Sequence, residues 1–144
     1  MASFAEHRKI LKQIEAFKPQ LNKIVDAAGV MAVNHFTKSF RDGGFTDESL
    51  ETWKPRKRAE RGKSRAVLVK SGRLRRSLRS RRFGVLSVKI MTDVPYARVH
   101  NNGERSGRGR GFKMPKRQFI GYSGKLNRSI IAFIDKKIKA QFNK

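Results

Sequence analysis

Between Lys54 and Arg82 the chain carries 14 Lys or Arg in 29 residues, and Glu60 is the single acid among them. No other feature restricts the fold as much. Side chains of one sign at that density repel each other and cannot leave water unpaired, so this stretch must run on the surface. It is either extended or pressed against something negative, and a solvated basic face with no ligand is the plainer alternative. The imbalance continues along the chain. Residues 1–53 hold seven basic and seven acidic residues; residues 54–144 hold 28 basic residues and four acids, Glu60, Asp93, Glu104 and Asp135. The formal net charge of +24 therefore belongs to the second part, and it points to a polyanion as partner or surroundings.

A chain of 144 residues with 38% hydrophobic content has material for one modest core, so a single domain spanning 1–144 is expected. Its parts are a helical segment at 4–41, an acidic connection and basic arm at 42–70, and a helix, small sheet and C-terminal helix at 71–144. The absence of cysteine excludes a disulfide scaffold, a thiol nucleophile and thiolate metal ligation. The longest uncharged apolar run, Ala27 to Val33, is far short of the ~20 residues that span a bilayer. Met1 to Ile10 has no apolar stretch of a secretory signal. A reducing, aqueous setting with no membrane is expected.

Periodicity supplies the elements. Ile10, Leu11, Ile14 and Phe17 mark a first helix over 4–17, and Pro19 is placed to open a second one. That second helix carries Leu21, Ile24, Val25, Ala28, Met31, Ala32, His35, Phe36 and Phe40 at the 3.6-residue period up to Asp42-Gly43-Gly44. Phe45 to Trp53 is expected as a short acidic connection and 54–70 as an arm or long loop. Ser71 is the expected N-cap of a helix over 71–82, with Leu74 and Leu78 as a narrow apolar seam. Val85 to Met91 alternates as a half-buried strand, and Tyr96 to Val99 is expected as a second extended piece. Asn101 to Gly111, with four glycines and three arginines, is expected as a mobile tip. Phe112 to Ile120 returns as a strand, and Ser123 caps a last helix where Leu126, Ile130, Ile134 and Ile138 step by four. Helices at both ends around a small antiparallel sheet, with a basic extended arm and a Gly-rich loop, make the class α+β.

No arrangement of residues supports catalysis. His7, His35 and His100 are scattered and lack the spacing of a zinc motif; His35, in an apolar helix, is expected to be packed. Asp93, His100 and a serine could be drawn as a triad, but no nucleophile-elbow pattern is present. Gly107-Arg108-Gly109-Arg110-Gly111 lacks the context of a P-loop or dinucleotide fingerprint. It can hold phosphate through arginine and open amides, or serve as a plain surface loop. The chain is not expected to be an enzyme, and no cofactor or metal is expected.

Four segments, taken in order and spacing, resemble the phage virion morphogenesis (tail-completion) family. They are Trp53-Lys-Pro-Arg56, Val67-Leu-Val-Lys-Ser-Gly-Arg-Leu-Arg-Arg-Ser-Leu78, Asp93-Val-Pro-Tyr-Ala-Arg-Val-His-Asn-Asn-Gly103 and Met114-Pro-Lys-Arg-Gln-Phe-Ile-Gly121. The likeness runs from about Phe40 to the last helix. It implies a structural protein of the neck or tail end of a virion, assembled in the host cytoplasm. Such a protein acts in tail completion and head–tail joining as a ring around the DNA channel. The partners implied are further copies of itself, with a ring of about six expected, and other neck, connector and tail proteins. No catalytic residues carry over; Trp53, Leu74, Leu78, Tyr96, Pro115 and Phe119 match as packing or subunit-interface positions.

Charge and resemblance meet at the DNA path. An inner wall facing DNA benefits from cations that contact phosphates without reading bases, so Lys63, Arg65, Arg73, Arg75, Arg76, Arg79 and Arg82 are the expected DNA-facing residues, with double-stranded DNA as a non-specific partner. Two accounts compete with this. In one, the arginines bridge to Asp47, Glu48 and Glu51 of neighbouring subunits. In the other, the chain is a free, sequence-independent nucleic-acid-binding protein.

Overall fold

Helix α1 runs without a break from Phe4 to Asp42, with Pro19 inside it. In the computed structural model, which describes residues 4–56 and 66–142, the two N-terminal helices expected from Pro19 are thus one. A proline withholds one N–H, so the carbonyl of Glu15 loses its helical donor. Glu15 and Pro19 are both exposed, where water can serve the freed carbonyl, and the helix persists.

The expected acidic connection is a hairpin. Strands β1 (Gly44–Thr46) and β2 (Leu50–Thr52) pair antiparallel with Phe45 opposite Glu51. Phe45 turns into the core, where its ring stacks on Phe36 of α1 at 6.3 Å. That contact joins residues on different elements, so local composition gave no sign of it.

Helix α2 covers only Arg73–Ser77, not 71–82. Leu78 is already extended, and strand β3 (Arg79–Arg82) follows, paired antiparallel with β4 (Val88–Met91). The N-cap also shifts. Gly72, at φ +70°, holds the cap position in the left-handed region that glycine tolerates, while the Ser71 hydroxyl accepts the Arg73 N–H at 3.3 Å. Residues 96–99, expected as extended, lie at the start of helix α3 (Ala97–Asn102). Pro95 suits the turn that leads into a helix, and burial of Ala97 fixes the helix against the core.

The Gly-rich tip is shorter than Asn101 to Gly111. Asn101 and Asn102 end α3, and strands β5 (Arg105–Ser106) and β6 (Phe112–Lys113) close a ribbon around the glycines. The strand expected up to Ile120 stops at Lys113. Beyond it, Asn101 Oδ1 accepts the N–H groups of Phe119 and Ile120, both at 2.9 Å, in place of a partner strand. Helix α4 (Gly124–Phe142) starts where expected: the Ser123 hydroxyl accepts the Leu126 N–H at 3.2 Å. The class is α+β, and among the described residues three separate two-stranded ribbons stand in place of one small sheet.

The core lies where the C-terminal half of α1 meets everything else. Phe40 and Phe119 are each 1% exposed, with ring centroids 5.1 Å apart, and Trp53 stands edge-on to Phe40 at 5.6 Å. Ala32, Phe36, Phe45, Leu74, Leu78, Val94 and Ala97 belong to the same cluster. The Trp53 indole N–H donates to the Gln118 carbonyl at 2.7 Å, tying the residue after β2 to the segment before α4. Gly29 lets α1 lie flush on the β3–β4 ribbon: a Cβ there would stand 2.8 Å from Val88 Cγ1 and 2.9 Å from Ser80 Cβ. Among the described residues no helix is long and apolar enough to cross a membrane.

Candidate nucleic-acid interface

The β3–β4 ribbon sorts its basic residues by face. Arg81 stands opposite Lys89, Ser80 opposite Ile90 and Arg82 opposite Val88, and paired residues share a face. Ser80 and Val88 meet Gly29, so that face, with Arg82 and Ile90, packs on α1. Arg79, Arg81 and Lys89 occupy the outer face and are exposed.

Arg82 is therefore committed inward. Its Nη2 lies 2.6 Å from Asp26 Oδ2, its Nε 3.2 Å from Asp26 Oδ1, and Nη2 also donates to the Asn22 carbonyl at 2.9 Å. This fork clamps the ribbon to α1. Arg79 is only loosely paired, 3.6 Å from Asp93, and Arg76 donates to the Ser71 carbonyl at 2.9 Å. Arg73, Arg75, Arg81 and Lys89 form no ion pair with a carboxylate among the described residues. Arg75 joins Lys38 and Arg41 along a groove of about 510 Å³ beside α1. Lys63 and Arg65 lie outside the described residues.

Arg81 and Lys89, absent from the expected DNA-facing set, thus stand on the outer face that Arg82 does not share. A helical period across 71–82 hides this. The alternation of a strand over Arg79-Ser80-Arg81-Arg82, had it been applied, turns Arg81 out and Arg82 in. Like charges directly opposite each other destabilise a ribbon, so the Arg81–Lys89 pair favours an anion laid across it.

The remaining positions divide by burial. Trp53, Leu74, Leu78 and Phe119 are core residues, Pro115 is half-buried, and Tyr96 is 42% exposed with its ring edge-on to His100 at 5.9 Å. His35 is packed between Phe36 and Phe45, its Nε2 3.0 Å from the Thr46 carbonyl oxygen. Two of the three acids expected to be available to neighbours are engaged within the chain. Asp47 Oδ1 accepts the Gly124 N–H at 2.6 Å, and Glu48 pairs with Arg128 at 2.5 Å, which holds the Glu48 carboxyl below its ordinary value. No group of three or more His, Asp or Glu stands together as a metal site among the described residues.

These features define a basic α+β protein with exposed cationic and apolar surfaces and, among the described residues, no assembled set of reacting groups. The chain belongs to the phage virion morphogenesis family, whose model matches residues 5–139. That family is structural and not an enzyme family, so the protein is a virion component and other phage proteins are its partners. Neither a curated protein nor a solved structure matches the chain.

Proposed function

We propose that the protein works at the neck or tail end of the virion, completing the tail and joining it to the head as a closed ring around the DNA channel. The outer face of the β3–β4 ribbon, with Arg79, Arg81 and Lys89, carries this reading. It presents closely spaced cations with Asp93 as the one paired acid among the described residues, as a wall beside packaged DNA requires. Arg75 with Lys38 and Arg41 extends the basic surface along α1. Exposed apolar residues on the two long helices, Leu11 and Ile14 on α1 and Ile131 on α4, support contact between copies.

Duplex binding by the purified protein tests the DNA-facing assignment. Each phosphate contact removed lowers the slope of log affinity against log salt by about 0.9. The Arg79→Gln, Arg81→Gln, Lys89→Gln variant is expected to lose slope in that proportion, with no dependence on duplex sequence. An unchanged slope overturns the assignment. Quantitative mass spectrometry of purified particles tests the ring, for which about six copies are expected; one or two copies refute it.

A further inference from the structure

A second basic feature lies away from the ribbon's outer face. A cleft of about 400 Å³ opens between the segment that precedes α2 and the α3 helix. Four cationic side chains line it, Arg56, Lys70, Arg73 and Arg117, and no carboxylate among the described residues does. Leu68, Leu74 and Tyr96 supply an apolar wall.

Arg117 sits in this cleft at 7% exposure. Its Nε and Nη2 donate to the Lys54 carbonyl at 3.1 and 3.0 Å, and no carboxylate among the described residues pairs with it. Burial pushes the guanidinium below its ordinary value, and Arg56 adds to the shift. A buried cation with carbonyls and a second cation as neighbours is costly until an anion joins it. His100 shares the cleft, and its Nδ1 is buried without a hydrogen-bond partner among the described residues. Residues 57–65, which lie outside the described residues, hold five Lys or Arg and one acid, Glu60.

We propose that this cleft is a carboxylate-binding site that takes an acidic side chain from a peptide segment of another virion protein. Its size suits a side chain on an aliphatic stem, with the stem against Leu68 and Leu74 and the carboxylate among Arg73, Lys70 and Arg117. A duplex backbone is a convex rod and meets protruding faces rather than a recess. A single strand is held by successive stacked bases, whereas among the described residues the one aromatic ring lining this cleft besides the imidazole is Tyr96, already edge-on to His100. The site is independent of the ring reading and of the outer face of the ribbon.

The test uses the full chain and NMR signals of the His100 ring. N-acetyl-Leu-Glu-Leu-amide at millimolar concentration is the probe, with its Gln counterpart as the uncharged control. The Glu peptide is expected to shift the His100 signals saturably and the Gln peptide to leave them in place. Lys70→Gln with Arg73→Gln, both exposed, is expected to weaken the Glu peptide by about tenfold or more. Lys136→Gln with Lys137→Gln removes the same charge on α4 and is expected to leave binding intact. Arg117 is left alone because it also holds the Lys54 carbonyl. Four outcomes overturn the proposal. They are no shift with the Glu peptide, equal shifts with both peptides, or an oligothymidylate that displaces the peptide and moves the His100 signals itself, which marks a phosphate site. The fourth is a Glu60→Gln change that alone moves those signals in the free protein, which marks the chain's own carboxylate as occupant.

Discussion

The surroundings of His100 disfavour its charged form: burial acts against the imidazolium first, and the Arg117 charge adds to it. Its folded value therefore lies below the 6.5 of a free side chain. As pH falls through 6.5, the unfolded chain takes up the proton before the folded one does, so stability declines until the folded value is passed; above 6.5 both forms are neutral and the contribution is flat. Glu48 and Glu104 are lowered as well, but for a carboxyl this favours the charged form. Arg128 lowers Glu48, and Asn102 and then Arg98 lower Glu104, so what they contribute is lost only as pH falls below 4.5. The window from about pH 7.5 to about pH 5.5 thus isolates histidine titration. The urea midpoint is expected to fall across it, and to fall less in His100→Gln. Equal falls in the two proteins would assign the dependence to another group.

At the scale of the element, the β3–β4 ribbon divides into a face that packs on α1 and a face left exposed. Arg82→Gln removes the clamp on Asp26 and Asn22; the partly exposed pair is expected to cost about 1 kcal/mol in denaturant unfolding and to leave the salt slope of DNA binding unchanged. Arg81→Glu acts in reverse. Opposite Lys89 it exchanges a repulsive cross-strand pair for an attractive one, expected to stabilise the ribbon by about 0.2–1 kcal/mol while weakening DNA binding. A residue that trades stability for binding marks a functional face; Arg81→Glu that gains stability without losing affinity would remove the ribbon from the DNA path. This sorting was only half legible in the sequence. The charge count located the basic surface, but the inward or outward sense of each arginine depends on register. Register here depends on Gly29 meeting Ser80 and Val88, contacts more than 50 residues apart in the chain. The same cause explains the elements that were misread. Long periodic helices with local caps, such as α4 behind Ser123, declare themselves. The β1–β2 hairpin and the end of α2 do not, because Phe45 on Phe36 and the pairing of β3 with β4 are tertiary events. Arg56 and Arg117 were also missed: their meeting across 61 positions leaves no local signal.

For the whole molecule, the arrangement of the two long helices matters most. The core engages the C-terminal half of α1 and the start of α4, so residues 4–20 of α1 carry the helix on by roughly 25 Å. On that projection Leu11 is 60% exposed and Ile14 53%. They stand three residues apart, on one face of the helix. Phe83, Val85 and Leu86 at the tip of the β3–β4 ribbon are exposed as well. Full burial of such side chains in a contact between copies, as proposed above, would gain about 1.5–3 kcal/mol each. Substitution separates the isolated chain from the assembly. Glutamate has nearly the helix propensity of leucine, and exposed sites tolerate change within about 0.5 kcal/mol. Leu11→Glu with Ile14→Glu is therefore expected to unfold at the wild-type temperature as a free chain, yet to be lost from purified particles. Incorporation at the wild-type level would mean that the projecting helix touches no neighbour, and that subunit contacts have to be sought at the ribbon tip instead.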